Sequence, residues 1–253
     1  MKRIFNWKVA MGLALTGLSA ALYYIHYFVF RDSHHIFIYL VGDIAFVPVE
    51  VLIVTLIIHN LLEKREKSAL LNKMNMLIGA FFSEAGNRLL EALSDLDPGI
   101  SVLKPGLKPG EDWQKKDFIA AKESVRGHEC KVAPGAGELS LIRDILRSKR
   151  SFLMSLLANP MLLEHDSFTD LLWAVFHLTE ELDKRKDLSD LPGEDLEHLI
   201  NDIKRAYRAL LTEWLDYMAH LQSAYPYLFS LARRTNPFDD EARISIGSRE
   251  GSG

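Results

Sequence analysis

The sequence predicts an all-α protein: a two-helix transmembrane hairpin, a long helical stalk continuing from the second span, and a cytoplasmic helical bundle. Three observations predict it. Two long apolar stretches fall within the first 60 residues. Beyond them apolar residues recur at three- and four-residue spacing, and no run alternates with period two. The overall 48% hydrophobic and 25% charged residues would suit an ordinary soluble protein, but their distribution is uneven. Residues 1–60 carry four basic and three acidic side chains, whereas the other 193 residues carry 26 and 31.

The first stretch, Val9 to Phe30, runs for 22 residues without a charge. At 1.5 Å per residue it covers about 33 Å, enough for a hydrocarbon core of about 30 Å. A cleaved signal peptide is the rival, because Lys2, Arg3 and Lys8 precede the run and Ser19-Ala20-Ala21 resembles a cleavage site. The run is too long for that and continues past the site, so it is expected to be retained.

The second span is Ile36 to Ile58, separated from the first by only Arg31-Asp32-Ser33-His34-His35. So short a linker implies an antiparallel hairpin. Lys2, Arg3 and Lys8 flank one end and Lys64, Arg65, Lys67 and Lys73 the other, against a single Arg31 in the loop. The positive-inside rule then places both termini in the cytoplasm and the protein in the cell (inner) membrane. Trp7, Tyr23, Tyr24, Tyr27 and Tyr39 suit interfacial positions.

Asp43 and Glu50 stand within the second span. Seven residues apart, they point to nearly the same helix face. A charge at that depth costs several kcal/mol, so both are expected to face protein or water, or to be protonated. Pro48 between them frees the carbonyl of Ile44, and Gly42 allows close approach to a neighbour. On the first helix, Gly12/Thr16 and Gly17/Ala21 form small-residue pairs for packing. The functional expectation is acidic rings around a cation path in an oligomer, since one hairpin encloses no pore. The plainer expectation is that the acids are protonated or hydrogen-bonded to Thr16, Ser19 or a tyrosine of the first helix.

No Pro or Gly interrupts Val49 to Ile78, so the second span should run on into a stalk over 61–96. Leu70, Met74, Leu77 and Phe81 mark its apolar stripe, widened by Leu71, Ile78 and Phe82 and continued by Leu89, Leu93 and Leu96; Gly79 and Gly86 weaken its second half. Asp97-Pro98-Gly99 ends it. Residues 97–137, dense in Pro and Gly, read as a loop region with one short helix over Asp112–Ser124.

Helices resume in a bundle over 138–238. The first covers Glu138–Ala158. Ser167-x-x-Asp170 reads as the N-cap of the second, which ends at Lys184-Arg185-Lys186. Pro192 opens the third, with Leu196, Leu199, Ile203, Leu210, Trp214, Met218 and Leu221 on its apolar face. A short helix over Tyr227–Arg233 follows. Residues 239–253 form a tail, and Gly247–Gly253 reads as an appended linker.

The runs SFTDLLWAVFHLTEEL (167–182) and YPYLFSLARRTNPF (225–238) resemble those of a family of uncharacterised prokaryotic membrane proteins with two N-terminal spans and a helical cytoplasmic domain. The resemblance covers most of the chain. It implies the architecture and no activity.

The residues offer little chemistry. Cys130 is the only cysteine, which excludes an intrachain disulfide and any multi-cysteine zinc site. His128-Glu129-Cys130 groups three weak candidate metal ligands in the breaker-rich segment, fewer than a structural zinc site needs. Gly135-x-Gly137 precedes a helix but lacks the rest of a phosphate loop, and no GxSxG is present. Glu164-His165-Asp166, His177-x-x-Glu180 and Asp195-x-x-His198 match no metal or hydrolase pattern closely. Arg233 and Arg234, near Tyr225, Tyr227 and Phe229, read as an ordinary helix end. No catalytic residue is assigned, no enzyme activity or cofactor is expected, and the charge balance argues against nucleic acid.

The expected function is therefore a homo-oligomeric cation channel or pore lined by Asp43 and Glu50, with the bundle controlling it. The expected partners are the bilayer and further copies of the chain. The alternative is a membrane-anchored signalling or interaction protein whose bundle binds a soluble cytoplasmic partner.

Overall fold

The computed structural model describes the backbone of residues 2–162 and 165–243, and side chains from Trp7 onward within those ranges. Among the described residues all regular structure is helical. The chain divides into two compact units, Met1–Lys67 and Ser68–Gly253.

In the first unit, α1 spans Lys2–Phe30, and α2, spanning Ser33–Phe81, begins after only two linking residues. The five-residue loop expected from the sequence is shorter because Asp32 caps α2. Its Oδ1 accepts the His35 amide at 3.2 Å, the usual service of an Asp at a helix start. Arg31 closes α1 in a left-handed conformation (φ 49°), and its amide donates to the Tyr27 carbonyl at 2.8 Å. At the turn the His26 and His35 rings stack, 6.3 Å between centroids. α2 continues through Pro48. No described side chain from Trp7 to Lys67 is buried, so α1 and the part of α2 in this unit leave their apolar residues uncovered. Two helices long and apolar enough to cross a membrane are thus present.

The second unit opens with the end of α2. Met74, Ile78 and Phe81 are buried as the stripe requires, while Leu71 is exposed. A π turn, Phe82–Gly86, then precedes α3, Asn87–Ser94. The helical course ends at Ser94 rather than Leu96. Gly86 permits the π turn to pack: a Cβ there would lie 2.6 Å from the Phe82 ring and 2.9 Å from the Phe81 ring.

Residues 97–137 are not a loop apart from the bundle. They form α4 (Ile100–Leu103), a 3₁₀ turn (Lys104–Leu107) and α5 (Lys115–Gly127). Leu103, Leu107, Phe118, Val125, Cys130 and Val132 are buried. Breakers there make turns, and most apolar residues between them point inward, with Val102 and Ile119 the large exposed exceptions. Asn236 closes the segment from the other end of the unit: its Nδ2 donates to the Leu107 carbonyl at 2.8 Å, and its Oδ1 accepts from Phe238 N at 2.9 Å. Lys104 and Lys108 pair with Asp240 and Asp239, so the expected tail starts as part of the packed unit. Residues 244–253, with the linker-like Gly247–Gly253, lie outside the described residues.

The remaining helices are α6 (Ala136–Leu157), α7 (Asp166–Lys184), α8 (Gly193–Ala224) and α9 (Pro226–Arg234). α8 is the hub, packed against α7, α5, α9 and α3, while α6 packs on α7 and α3. Its apolar face buries Leu199, Ile203, Leu210, Trp214, Met218 and Leu221 as the 3.6-residue period predicts. The cap of α7 differs from the expected Ser167. His165 takes that place, its Nδ1 accepting the Phe168 amide at 3.2 Å, because an imidazole nitrogen serves as acceptor as an Asx oxygen does.

Candidate functional site

Asp43 and Glu50 are exposed on α2, as are Gly42 and Pro48. Among the described residues neither carboxyl has a hydrogen-bond or ion-pair partner. Thr16, one of the expected intrachain partners, donates instead to the Gly12 carbonyl of its own helix at 2.9 Å.

The weak metal candidates His128, Glu129 and Cys130 do not converge. His128 Nε2 lies 2.6 Å from Oδ2 of Asp97, a carboxylate only 1% exposed, whose Oδ1 accepts the Gly99 amide at 3.0 Å. Glu129 points outward beside Lys131 at 3.9 Å. Burial pushes the Cys130 thiol up to about 11, so it stays a neutral thiol rather than a ligand or nucleophile. The Gly135 amide is taken by the Glu138 carboxylate at 2.8 Å, which closes that helix start to an anion. Asp166 opens α7, and Glu164 lies outside the described residues. Arg233 pairs with Glu111 at 2.7 Å.

A cluster that the sequence reading passed over lies where α7 meets α8. His177 and His198 each place Nε2 near the same Oδ2 of Asp202, at 3.2 and 3.3 Å. Glu181 Oε2 stands 3.8 Å from His198 Nε2 and is held by Arg185. That guanidinium lowers the Glu181 carboxyl below its ordinary range, against the opposing effect of burial. The three-residue spacings His177 to Glu180 and Asp195 to His198 do not join this cluster. The spacing that does is four, from His198 to Asp202, and Glu181, four residues after His177, stands beside it. Four residues also keep two side chains on one helix face.

Beside this cluster runs a groove of about 540 Å³ lined by Arg126, Lys204, Arg208 and the buried Glu213. Glu213 is 2% exposed and its Oε1 has no hydrogen-bond partner among the described residues. Burial pushes its carboxyl above the ordinary 4.5, with Asp216 adding to the rise and Ser167, His165 and Lys122 opposing it. The folded state thus holds a proton that the unfolded state has lost. Its contribution to stability falls as pH rises from about 4.5 through the folded value, and stays low above it. Glu213→Gln should therefore raise stability at pH 7. Thermal melts across the acid range should show that advantage shrinking toward pH 4; a constant advantage would contradict the titration.

Residues 2–62 match the N-terminal helical domain of MJ1433, and residues 70–234 match the C-terminal helical domain of "Uncharacterized protein MJ1433". Over 239 residues the chain is 41% identical to that protein from Methanocaldococcus jannaschii, covering 94% of this chain and 96% of the relative. No solved structure matches. The matched domains meet between residues 62 and 70, where the two compact units also divide at Lys67 and Ser68. The chain belongs to the MJ1433 family of helical proteins.

Proposed function

We propose that the protein is a homo-oligomeric component of the cell membrane, with α1 and the apolar part of α2 crossing the bilayer and both termini in the cytoplasm. Asp43 and Glu50 of neighbouring copies face one another and form a path for cations. The observation that carries this reading is the pair of acids on one face of an apolar helix, without a partner among the described residues. Lipid is a poor solvent for such groups, and association of several copies supplies either water or polar neighbours. The apolar exposure of both helices, including the 24 residues Trp7–Phe30, supports the membrane part.

The test is cation flux in proteoliposomes carrying purified protein, with the oligomeric mass measured in parallel. D43N/E50Q should assemble normally and lose flux by about tenfold or more, since rings of carboxylate concentrate cations by that order. Flux equal to wild type in an intact oligomer would rule the path out.

One observation favours an anchored interaction protein instead. A groove of about 590 Å³ between the end of α2, α8 and α9 is lined by Met76, Tyr217, His220, Tyr227 and Leu231. Met76 and Tyr227 on its rim are 69% and 70% exposed, a common feature of protein-binding surfaces. If that reading holds, exchanging both spans for an unrelated hairpin leaves partner capture intact.

A further inference from the structure

α7 and α8 pack against each other and each contributes two residues one turn apart: His177 and Glu181 from α7, His198 and Asp202 from α8. The Asp202 carboxylate is 2% exposed, and its Oδ2 has no hydrogen-bond partner among the described residues. Both imidazole nitrogens nevertheless converge on that oxygen at 3.2 and 3.3 Å. All three atoms lie within 4.8 Å of one another. Ligands about 2.0–2.1 Å from a tetrahedral zinc ion are about 3.3 Å apart, the separation of each imidazole nitrogen from the Asp202 oxygen, while the two nitrogens lie within 4.8 Å of each other.

We infer that His177, His198 and Asp202 form a binding site for a divalent transition metal, Zn²⁺ by its donor set. Two imidazoles and one carboxylate are a borderline-soft set that suits zinc and neither calcium nor magnesium, which take mainly oxygen ligands. The alternative arrangement, both rings donating Nε2–H to the one oxygen, would crowd two donors on a carboxylate that Arg205 already approaches at 3.5 Å. A metal ion takes the lone pairs of both nitrogens and of the buried oxygen at one centre. Glu181, whose carboxylate is fixed by Arg185, flanks the His198 side of the site. Both histidines are exposed, so the ion is reachable from solvent and the fourth position is open to water or an anionic donor. Three protein ligands with an open position are the pattern of a metal that binds or activates something, rather than of a closed structural site.

The experiment uses tag-free full-length protein in detergent, stripped with chelator and titrated with Zn²⁺. Stoichiometry is read by calorimetry, coordination by the visible bands of Co²⁺, and stability by thermal melts. Wild type should take one zinc ion per chain and give the intense bands of tetrahedral cobalt. Its Tm should rise by about 5–10 °C with free metal about 100-fold above Kd. H177A/H198A changes two exposed side chains and should fold normally while losing all three signals. Asp202→Asn keeps the shape and should weaken zinc binding by about tenfold or more, because a neutral amide replaces an anionic ligand. Equal metal uptake by wild type and H177A/H198A would overturn the assignment. So would a wild type that takes up no stoichiometric zinc.

Discussion

Phe81→Ala should remove about 3–5 kcal/mol from the folding free energy, the usual cost of truncating a fully buried Phe. The ring stands edge-on to Phe82 at 5.2 Å and to Phe168 at 5.4 Å, so it joins the end of α2 to α7. Phe82 in turn stacks on Tyr217 of α8 at 5.2 Å. Truncation would open a cavity where three helices meet, beside a π turn whose glycine leaves no side chain to fill it. Domains are typically stable by only 5–15 kcal/mol, so the loss is a large share of the whole. Denaturant unfolding of the full-length protein, followed by the fluorescence of the tryptophans, reads the change, since Trp214 is buried against Phe238. Met76→Ala, at an exposed position of the same helix, should shift the curve by less than about 0.5 kcal/mol. If the two variants unfold alike, the aromatic cluster is not the packing centre described above.

Asp97→Ala is expected to cost a similar amount, about 3–5 kcal/mol, through polar groups rather than volume. One buried carboxylate serves two half-buried partners, the His128 imidazole and the Gly99 amide. Removing it strands both, and a half-buried donor regains water only in part. Asp97→Asn keeps an oxygen for the Gly99 amide and should lose about 1–2 kcal/mol. Gly99→Ala disturbs the same pair sterically, because a Cβ at that position would come within 2.8 Å of His128 Cε1. The order of midpoints to observe is wild type above D97N above D97A. An alanine variant as stable as the asparagine one would show that the carboxylate's bonds to His128 and Gly99 contribute nothing.

The helices were legible because their signal is local. Leu139, Ile142, Ile145 and Leu146 repeat with the period of one helix face, and all four are buried. The same holds for Leu199, Ile203, Leu210 and Trp214 on α8. In segment 97–137 the one helix expected from the sequence, Asp112–Ser124, is present as α5, Lys115–Gly127, and the shorter elements were not legible for a related reason. A four-residue helix and a 3₁₀ turn are too short to show a period, and frequent Pro and Gly looked like loop although they only punctuate it. The cap of α7 was placed at Ser167 because serine is the commoner capping residue, whereas the chain uses the imidazole of His165.

The metal-ligand cluster was partly legible. His-x-x-x-Glu and His-x-x-x-Asp at helical spacing are visible in the sequence, and noticing four-residue rather than three-residue pairs would have found both halves. Nothing in either pair says that they face each other. Likewise the resemblance to a family with two apolar N-terminal stretches and a helical domain pointed to the architecture, and the MJ1433 match agrees with its helical part.

By itself, the sequence determined which of the longer segments are helical, which face of each is apolar, and where the two acids stand on α2. These depend on spacing within one segment and on the solvent that each face prefers. Only the tertiary structure decided that α8 is the hub, that Asp97 meets His128 across 31 positions, and that His177 and His198 share the Asp202 oxygen. Those meetings depend on how far one helix slides and turns against the next, and side chains interlocking across the whole interface set that register. A shift of one turn, about 5.4 Å, would leave every helix intact and take the cluster apart.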